Sequence, residues 1–233
     1  MSVAIVVGAG SGLGAALCRR FAAGGLTVAA ARRRADAAED LASEIGGRAY
    51  ACDATQSAQV AALFDAVQDD LGTPELVVFN AGSFQRAGIR EIDPEAFQRH
   101  WETGCLGALH VGQAAARVMA PNKRGTIIFT GATAALRGGA GFASLAVPKF
   151  GLRALAQSMA RELHPEGIHV AHTVIDGLIA NPERGGAWDP ESRDQPEALL
   201  DPDALAEGYW QLHQQPRSAW THELDLRPWV ERF

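Results

Sequence analysis

The chain begins with an unbroken apolar run, Val3-Ala4-Ile5-Val6-Val7, which empties into Gly8-Ala9-Gly10-Ser11-Gly12-Leu13-Gly14 and then Ala15-Ala16-Leu17. Few folds accept that order. A solidly apolar run suits a strand covered on both faces, the condition of a parallel sheet. The glycines turn the chain sharply and admit a phosphate to the backbone. The helix that follows has first amides without carbonyl partners, and these attract an anion. Gly8, Gly12 and Gly14 are spaced for the tight turn, the close approach and the helix–strand packing.

The rest of the chain repeats the theme. Strands are expected at Val3–Val7, Leu26–Ala31, Arg48–Cys52, Leu76–Phe79, Thr126–Thr130 and Ile168–Val174, with helices near 12–24, 35–45, 57–71, 94–119, 144–163 and 202–214. Strands separated by helices of this length pair in parallel through right-handed crossovers. The expectation is a single α/β domain over residues 1–233, a doubly wound, Rossmann-type parallel sheet with helices on both faces. The alternating run Ala219–Leu226 makes a seventh strand. Residues 177–201 are rich in Pro, Gly and charge and read as a mobile loop, a lid within a variable substrate segment at 177–215.

Composition narrows the class. A chain of 233 residues with 47% apolar and 21% charged residues reads as an ordinary soluble globule. The net charge of −6, with no basic block, argues against nucleic acid as a partner. No apolar run reaches the length of a membrane helix, and the opening strand leaves no room for a secretory signal. Cys18, Cys52 and Cys105 lack metal-site or disulfide spacing, which fits a reducing cytoplasm and no metal. Only two lysines occur, Lys123 and Lys149.

Taken together, the spacing of Gly8, Gly12 and Gly14, the Asp53 after the third strand, the Asn80-Ala81-Gly82 turn after the fourth, and Lys149 in the fifth long helix resemble the short-chain dehydrogenase/reductase superfamily. The resemblance spans roughly residues 3–180, with Val7 in place of a usual threonine. It implies a nicotinamide cofactor on the loop Gly8, Ser11, Gly12, Leu13 and Gly14. It also implies contacts from Asp53 and Ala54 near the adenine, from Asn80, Ala81 and Gly82, from Lys149 on the nicotinamide ribose, and from Gly177. For Asp53 a turn cap, and for Asn80 a left-handed turn residue, are the plain structural alternatives.

The phosphate state of the cofactor follows from the second strand. An enzyme selecting NAD usually ends that strand with an acid that grips the ribose hydroxyls. Here Ala31 is followed by Arg32-Arg33-Arg34. Guanidinium groups without a carboxylate suit a 2′-phosphate, so NADP(H) is expected over NAD(H). Arg32 and Arg33 are the first candidates, and Arg34 stays open.

The resemblance also marks what is missing. In the superfamily a tyrosine four residues before the lysine supplies a proton, a serine thirteen positions before that tyrosine polarises the carbonyl, and an asparagine in the preceding long helix orders a relay. Those positions fall on Leu145, Ala132 and Gly104; Lys149 alone remains. A divergent subset with an apolar residue at the tyrosine position is similar. Asp176 is a candidate replacement acid, with a loop cap as its plain alternative, and Thr133 a candidate carbonyl donor if the register shifts by one, with a helix cap as its plain alternative. His172 reads as a satisfied core histidine. Tyr50 lies in a strand, and Tyr209 reaches the pocket only through a folded lid. Trp210, Trp220 and Trp229 read as C-terminal core or an oligomer contact. Two functions stay open: an NADP(H)-dependent oxidoreductase acting on a small carbonyl or alcohol, and a non-catalytic nucleotide-binding module. Small residues on the helices near 94–119 and 144–163, including Gly107, Ala108, Ala114–Ala116 and Ala154, point to a homodimer or homotetramer.

Overall fold

A computed structural model describes residues 2–192 and 194–231. Arg193, inside the variable segment, and the terminal Met1, Arg232 and Phe233 lie outside the described residues. The strands are β1 (Val3–Val7), β2 (Thr27–Arg32), β3 (Arg48–Ala51), β4 (Pro74–Phe79), β5 (Gly125–Thr130), β6 (Ile168–Ile175) and β7 (Glu223–Leu226). All seven pair in parallel, in the order β3-β2-β1-β4-β5-β6-β7. The order reverses at β1 and β4, the switch point outside which ligands bind in such sheets.

The helices are α1 (Leu13–Ala23), α2 (Asp36–Glu44), α3 (Ser57–Asp70), α4 (Pro94–Trp101), α5 (Gly107–Met119), α6 (Ala143–Leu163) and α7 (Pro202–Gln214). Because strand side chains alternate between faces, Val3, Ile5 and Val7 join one core with α3, α5 and α6, through Phe64, Val111 and Leu152. Ala4 and Val6 join the other with α1 and α7, through Leu17, Phe21 and Tyr209. Burial of each large side chain in these layers contributes about 1.5–3 kcal/mol against the cost of ordering the chain.

The structure refines several expectations. The long helix over 94–119 is broken by a π turn at Glu102–Leu106. Gly104 lies in that turn with its Cα facing Pro148, and Gly107 follows against Ala54. The segment after β6, expected as a mobile loop, carries local structure and is here called the strap. Pro182, Pro190 and Pro196 each start a 3-10 turn, and Ile179 bridges Leu200. The final strand is shorter than the alternation implied, because Trp220 leaves the sheet edge to stack on His169 with ring centroids 4.9 Å apart. Of the tryptophans expected as core or oligomer contact, Trp210 packs on Phe21 as core, whereas Trp229 is 77% exposed and donates to Glu197, which leaves the oligomer-contact alternative for it.

Two further polar groups are fixed by burial. Tyr209 is fully buried, its hydroxyl donating to Thr130 Oγ1 at 2.9 Å and bonded to Thr173 Oγ1 at 2.6 Å, so it does not approach the pocket through the strap. His172 is fully buried but only half satisfied. Its Nδ1 meets Glu223 Oε2 at 3.1 Å, whereas Nε2 has no partner and points at Gly131, where a Cβ would stand 2.2 Å away.

Candidate functional site

At the carboxyl end of β1 the backbone turns at Gly8, whose φ of +99° favours glycine. A Cβ at Gly8 would lie 2.6 Å from the Ala81 amide nitrogen, and one at Gly14 would lie 2.4 Å from the Gly8 carbonyl oxygen. Both positions therefore need glycine for close backbone approach. Asn80 fixes the neighbouring strand end: its backbone N–H donates to Val7 O at 2.8 Å and its side-chain amide to Gly8 O at 3.0 Å. Asn80 is thus a strap between β1 and β4 and not a left-handed turn residue. Among the described residues Lys123 alone of the non-glycines has a positive φ.

These elements border a cleft of about 1060 Å³. Gly8 and Gly10 form one wall, Arg32–Arg34 a second, Cys52–Thr55 a third and Asn80–Ser83 a fourth. Ser11 and Gly12 stand beside it, touched by Asn181 of the strap, whose amide donates to Ser11 Oγ at 3.2 Å. Leu13 begins α1, so its N–H belongs to the first helical turn, where no intrahelical carbonyl is available. The glycine cradle and these amides fit a dinucleotide diphosphate.

Asp53 serves as a turn cap, accepting from the Thr55 N–H at 3.0 Å and from its hydroxyl at 2.8 Å, while still lining the cleft. Ala54 beside it is buried against Gly107. The three arginines separate by their partners. Arg32 donates to Ala37 O at 2.6 Å, and Arg34 pairs with Asp36 at 3.3 Å. Arg33 is exposed and makes no hydrogen bond or ion pair among the described residues.

Lys149 reaches across from α6. Its ammonium donates to Thr130 O at 2.6 Å and would lie 3.8 Å from a Cβ at Gly82. The side chain is only 8% exposed, and burial brings its pKa from 10.5 down to about 8. Leu145 stands one turn earlier, half-buried, and Ala132 is extended at the start of a short 3-10 turn, Thr133–Ala135. Pro148 lies inside α6, so the amide that would serve the Ser144 carbonyl is absent.

Thr133 and Asp176 come together. The Thr133 hydroxyl donates to Asp176 Oδ1 in a short contact, and Arg227 lies 3.4 Å from Asp176 Oδ2. A hydroxyl whose proton faces a carboxylate presents lone pairs to a substrate. In this arrangement the Thr133 proton is engaged by Asp176. Asp176 thus lies between the Thr133 hydroxyl and the Arg227 guanidinium, which also pairs with Asp225. Gly177 follows with a φ of +154°, packed against Pro228.

Sequence reasoning missed Arg227, Asn181 and Arg184, all of which reach the site. Arg227 had a readable signal. Once the tail is taken as a parallel strand, the register Ile175↔Leu226 makes Asp176 and Arg227 neighbours. Arg184 and Asn181 had none, because their placement depends on how the strap folds.

Comparison with known proteins agrees with this geometry. Residues 2–182 match the family model for short chain dehydrogenase. A short-chain dehydrogenase from Rhodopseudomonas palustris superposes with a TM-score of 0.83 at 42% identity, covering 98% of this chain and 99% of that one. A metagenomic short-chain oxidoreductase in complex with NADP superposes with a TM-score of 0.81 at 26% identity, covering 98% of each chain. The 3-oxoacyl-[acyl-carrier-protein] reductase MabA of Mycobacterium tuberculosis is 34% identical over 175 residues, which is 75% of this chain and 68% of the reductase.

Proposed function

The chain belongs to the short-chain dehydrogenase family, and from that premise we propose that it is an NADP(H)-dependent oxidoreductase acting on a small alcohol or carbonyl through an altered proton-handling site. The observation that carries this reading is the cleft itself. One continuous space is bordered by the glycine turn, three arginines, Asp53 and the Asn80–Gly82 turn. The dinucleotide would rest its diphosphate on Gly8–Gly14, its 2′-phosphate against Arg33 with Arg32 beside it, its adenine near Asp53 and Ala54, and its nicotinamide ribose on Lys149. Asn80, Ala81 and Gly82 would floor the centre, and Gly177 would close the nicotinamide end. When bound, the nicotinamide supplies or accepts the hydride.

In this reading Leu145 stands at the family's tyrosine, Ala132 at its serine and Gly104 at its asparagine, so none can handle the substrate proton. Thr133 and Asp176 take over, and their hydrogen bond sets a direction. An alcohol O–H would donate to Thr133 Oγ1 while the Thr133 proton passes to Asp176 Oδ1. That arrangement favours alcohol oxidation over reduction of simple ketones and aldehydes. Arg227 holds Asp176 in place from the tail.

A second reading, a nucleotide-holding module without turnover, draws support from Leu145 beside the retained Lys149. The two separate in one experiment: titrate NADPH and NADH by fluorescence, then follow NADP⁺ reduction over a panel of alcohols. Preferential NADPH binding with turnover supports the oxidoreductase. Binding without turnover supports the module. Absence of binding removes both. Among the described residues no helix is long and apolar enough to cross a membrane. A homodimer or homotetramer in the cytoplasm is part of the same proposal.

A further inference from the structure

The strap carries a flap that the family resemblance did not assign. From Asn181 to Trp188 the chain folds on itself, and the Asn181 N–H donates to Trp188 O at 2.7 Å. Inside this closure Arg184 N–H donates to Asn181 O at 3.0 Å and Trp188 N–H to Gly185 O at 3.3 Å. Gly185 and Gly186 turn the chain with φ of +62° and +55°, conformations that glycine adopts without a Cβ clash. The flap is latched to the glycine loop, because the Asn181 amide donates to Ser11 Oγ and lies 3.2 Å from where a Cβ on Gly12 would stand.

The latch brings Arg184 to the cleft. Its side chain borders the same space as Gly10 and Arg32–Arg34. The guanidinium lies over the Trp188 ring at 5.3 Å and makes no ion pair among the described residues. Arg184 is exposed and backed by an indole, and it lines one cleft with the glycine turn and three more arginines, a concentration of positive charge that suits an anion. Planar guanidinium donors match phosphate oxygens in fixed pairs.

We propose that Arg184 is a phosphate-binding residue of the cofactor site, delivered by the Asn181–Trp188 flap to the cleft that Arg32–Arg34 also line. The inference rests on the NADP(H) reading above. The anion is a phosphate of the dinucleotide, either the 2′-phosphate or the diphosphate. The flap would then settle over a bound nucleotide, with Arg184 and Asn181 acting as one unit.

The test is a titration of wild type, Arg184→Ala, Arg184→Lys and Asn181→Ala with NADPH and NADH, read by fluorescence at two salt concentrations. Arg184→Ala should weaken binding about tenfold, with a shallower salt dependence than wild type, and Arg184→Lys should recover part of the loss. A loss confined to NADPH places Arg184 on the 2′-phosphate; an equal loss for both nucleotides places it on the diphosphate. Asn181→Ala should show the same nucleotide pattern, and its combination with Arg184→Ala should be less than additive. Unchanged affinity for both nucleotides in Arg184→Ala, with wild type binding normally, overturns the proposal. Wild type that binds neither nucleotide defeats the cofactor reading and this inference with it.

Discussion

Gly104 and Pro148 are fitted to each other: a Cβ on Gly104 would stand 3.1 Å from the Pro148 Cβ and 3.7 Å from its Cγ. The π turn of the preceding helix and the proline inside α6 thus meet so closely that a Cβ at 104 needs the proline to give by a few tenths of an ångström. An asparagine at 104 cannot enter unless the proline ring moves.

A double-mutant cycle checks this. Gly104→Asn alone should destabilise the fold by about 1–3 kcal/mol through overpacking. In a Pro148→Ala background the same change should cost less, with a coupling of about 0.5–3 kcal/mol. Urea unfolding of the four proteins reads the result, and strict additivity would show that the two sites are independent.

Lys149 makes stability depend on pH at the alkaline side. Its pKa falls from 10.5 to about 8 on folding, so between those values the unfolded chain binds more protons. Stability contributed at this site therefore rises with pH from about 8 upward. The thiols of Cys18 and Cys52, raised by burial to about 12 and about 11, act in the opposite sense above their ordinary 9.0. The difference between wild type and Lys149→Met isolates the lysine: the rise between pH 8 and 9 should vanish in the variant. Cofactor affinity should fall over the same range as the ammonium deprotonates.

At the acid side His172 and His213 matter. Burial lowers each from 6.5 to about 4; Glu223 opposes the shift at His172, and Arg124 and His169 add to it at His213. A depressed folded pKa means stability is present above 6.5 and lost as pH falls through about 4. Unfolding midpoints measured from pH 7 to pH 4 should decline, and His172→Asn should flatten the decline while lowering stability at pH 7.

The helix α6 offers a surface for self-association. Val147 and Phe150 are 45% and 44% exposed, and Ala154 and Ser158 continue the same exposed stripe. Gly107, Ala108 and Ala115, expected at an interface from sequence, are buried within the fold instead. Val147→Glu with Phe150→Glu should convert the proposed dimer or tetramer to a monomer in light scattering. A wild-type monomer at micromolar concentration would contradict the assembly.

The fold was legible because its signals were local. Val3–Val7 followed by Gly8–Gly14 announces a buried strand, a turn and a helix, and each later strand–helix unit repeats a period that the residues themselves carry. The cofactor cradle was legible for the same reason, since Gly8, Gly14 and Asn80 meet at the ends of adjacent strands. The proton-handling pair was visible only as separate residues. That Thr133 donates to Asp176 depends on a contact between segments 43 residues apart, which no periodicity records, whereas Arg227 beside Asp176 follows from the strand register once the tail is read as parallel. The strap was least legible: its three prolines signalled interruption, whereas latching Asn181 to Ser11 is a tertiary event across 170 residues.

The most direct test of the altered site is NADP⁺ reduction, followed by nicotinamide absorbance over an alcohol panel, with wild type and Asp176→Asn compared at saturating cofactor. Wild type should oxidise at least one alcohol, and Asp176→Asn should lose about 10²-fold or more in kcat while binding NADP⁺ as before. Thr133→Val should follow the same pattern. Equal turnover in wild type and Asp176→Asn, or no turnover by a wild type that binds NADP⁺, would contradict the account.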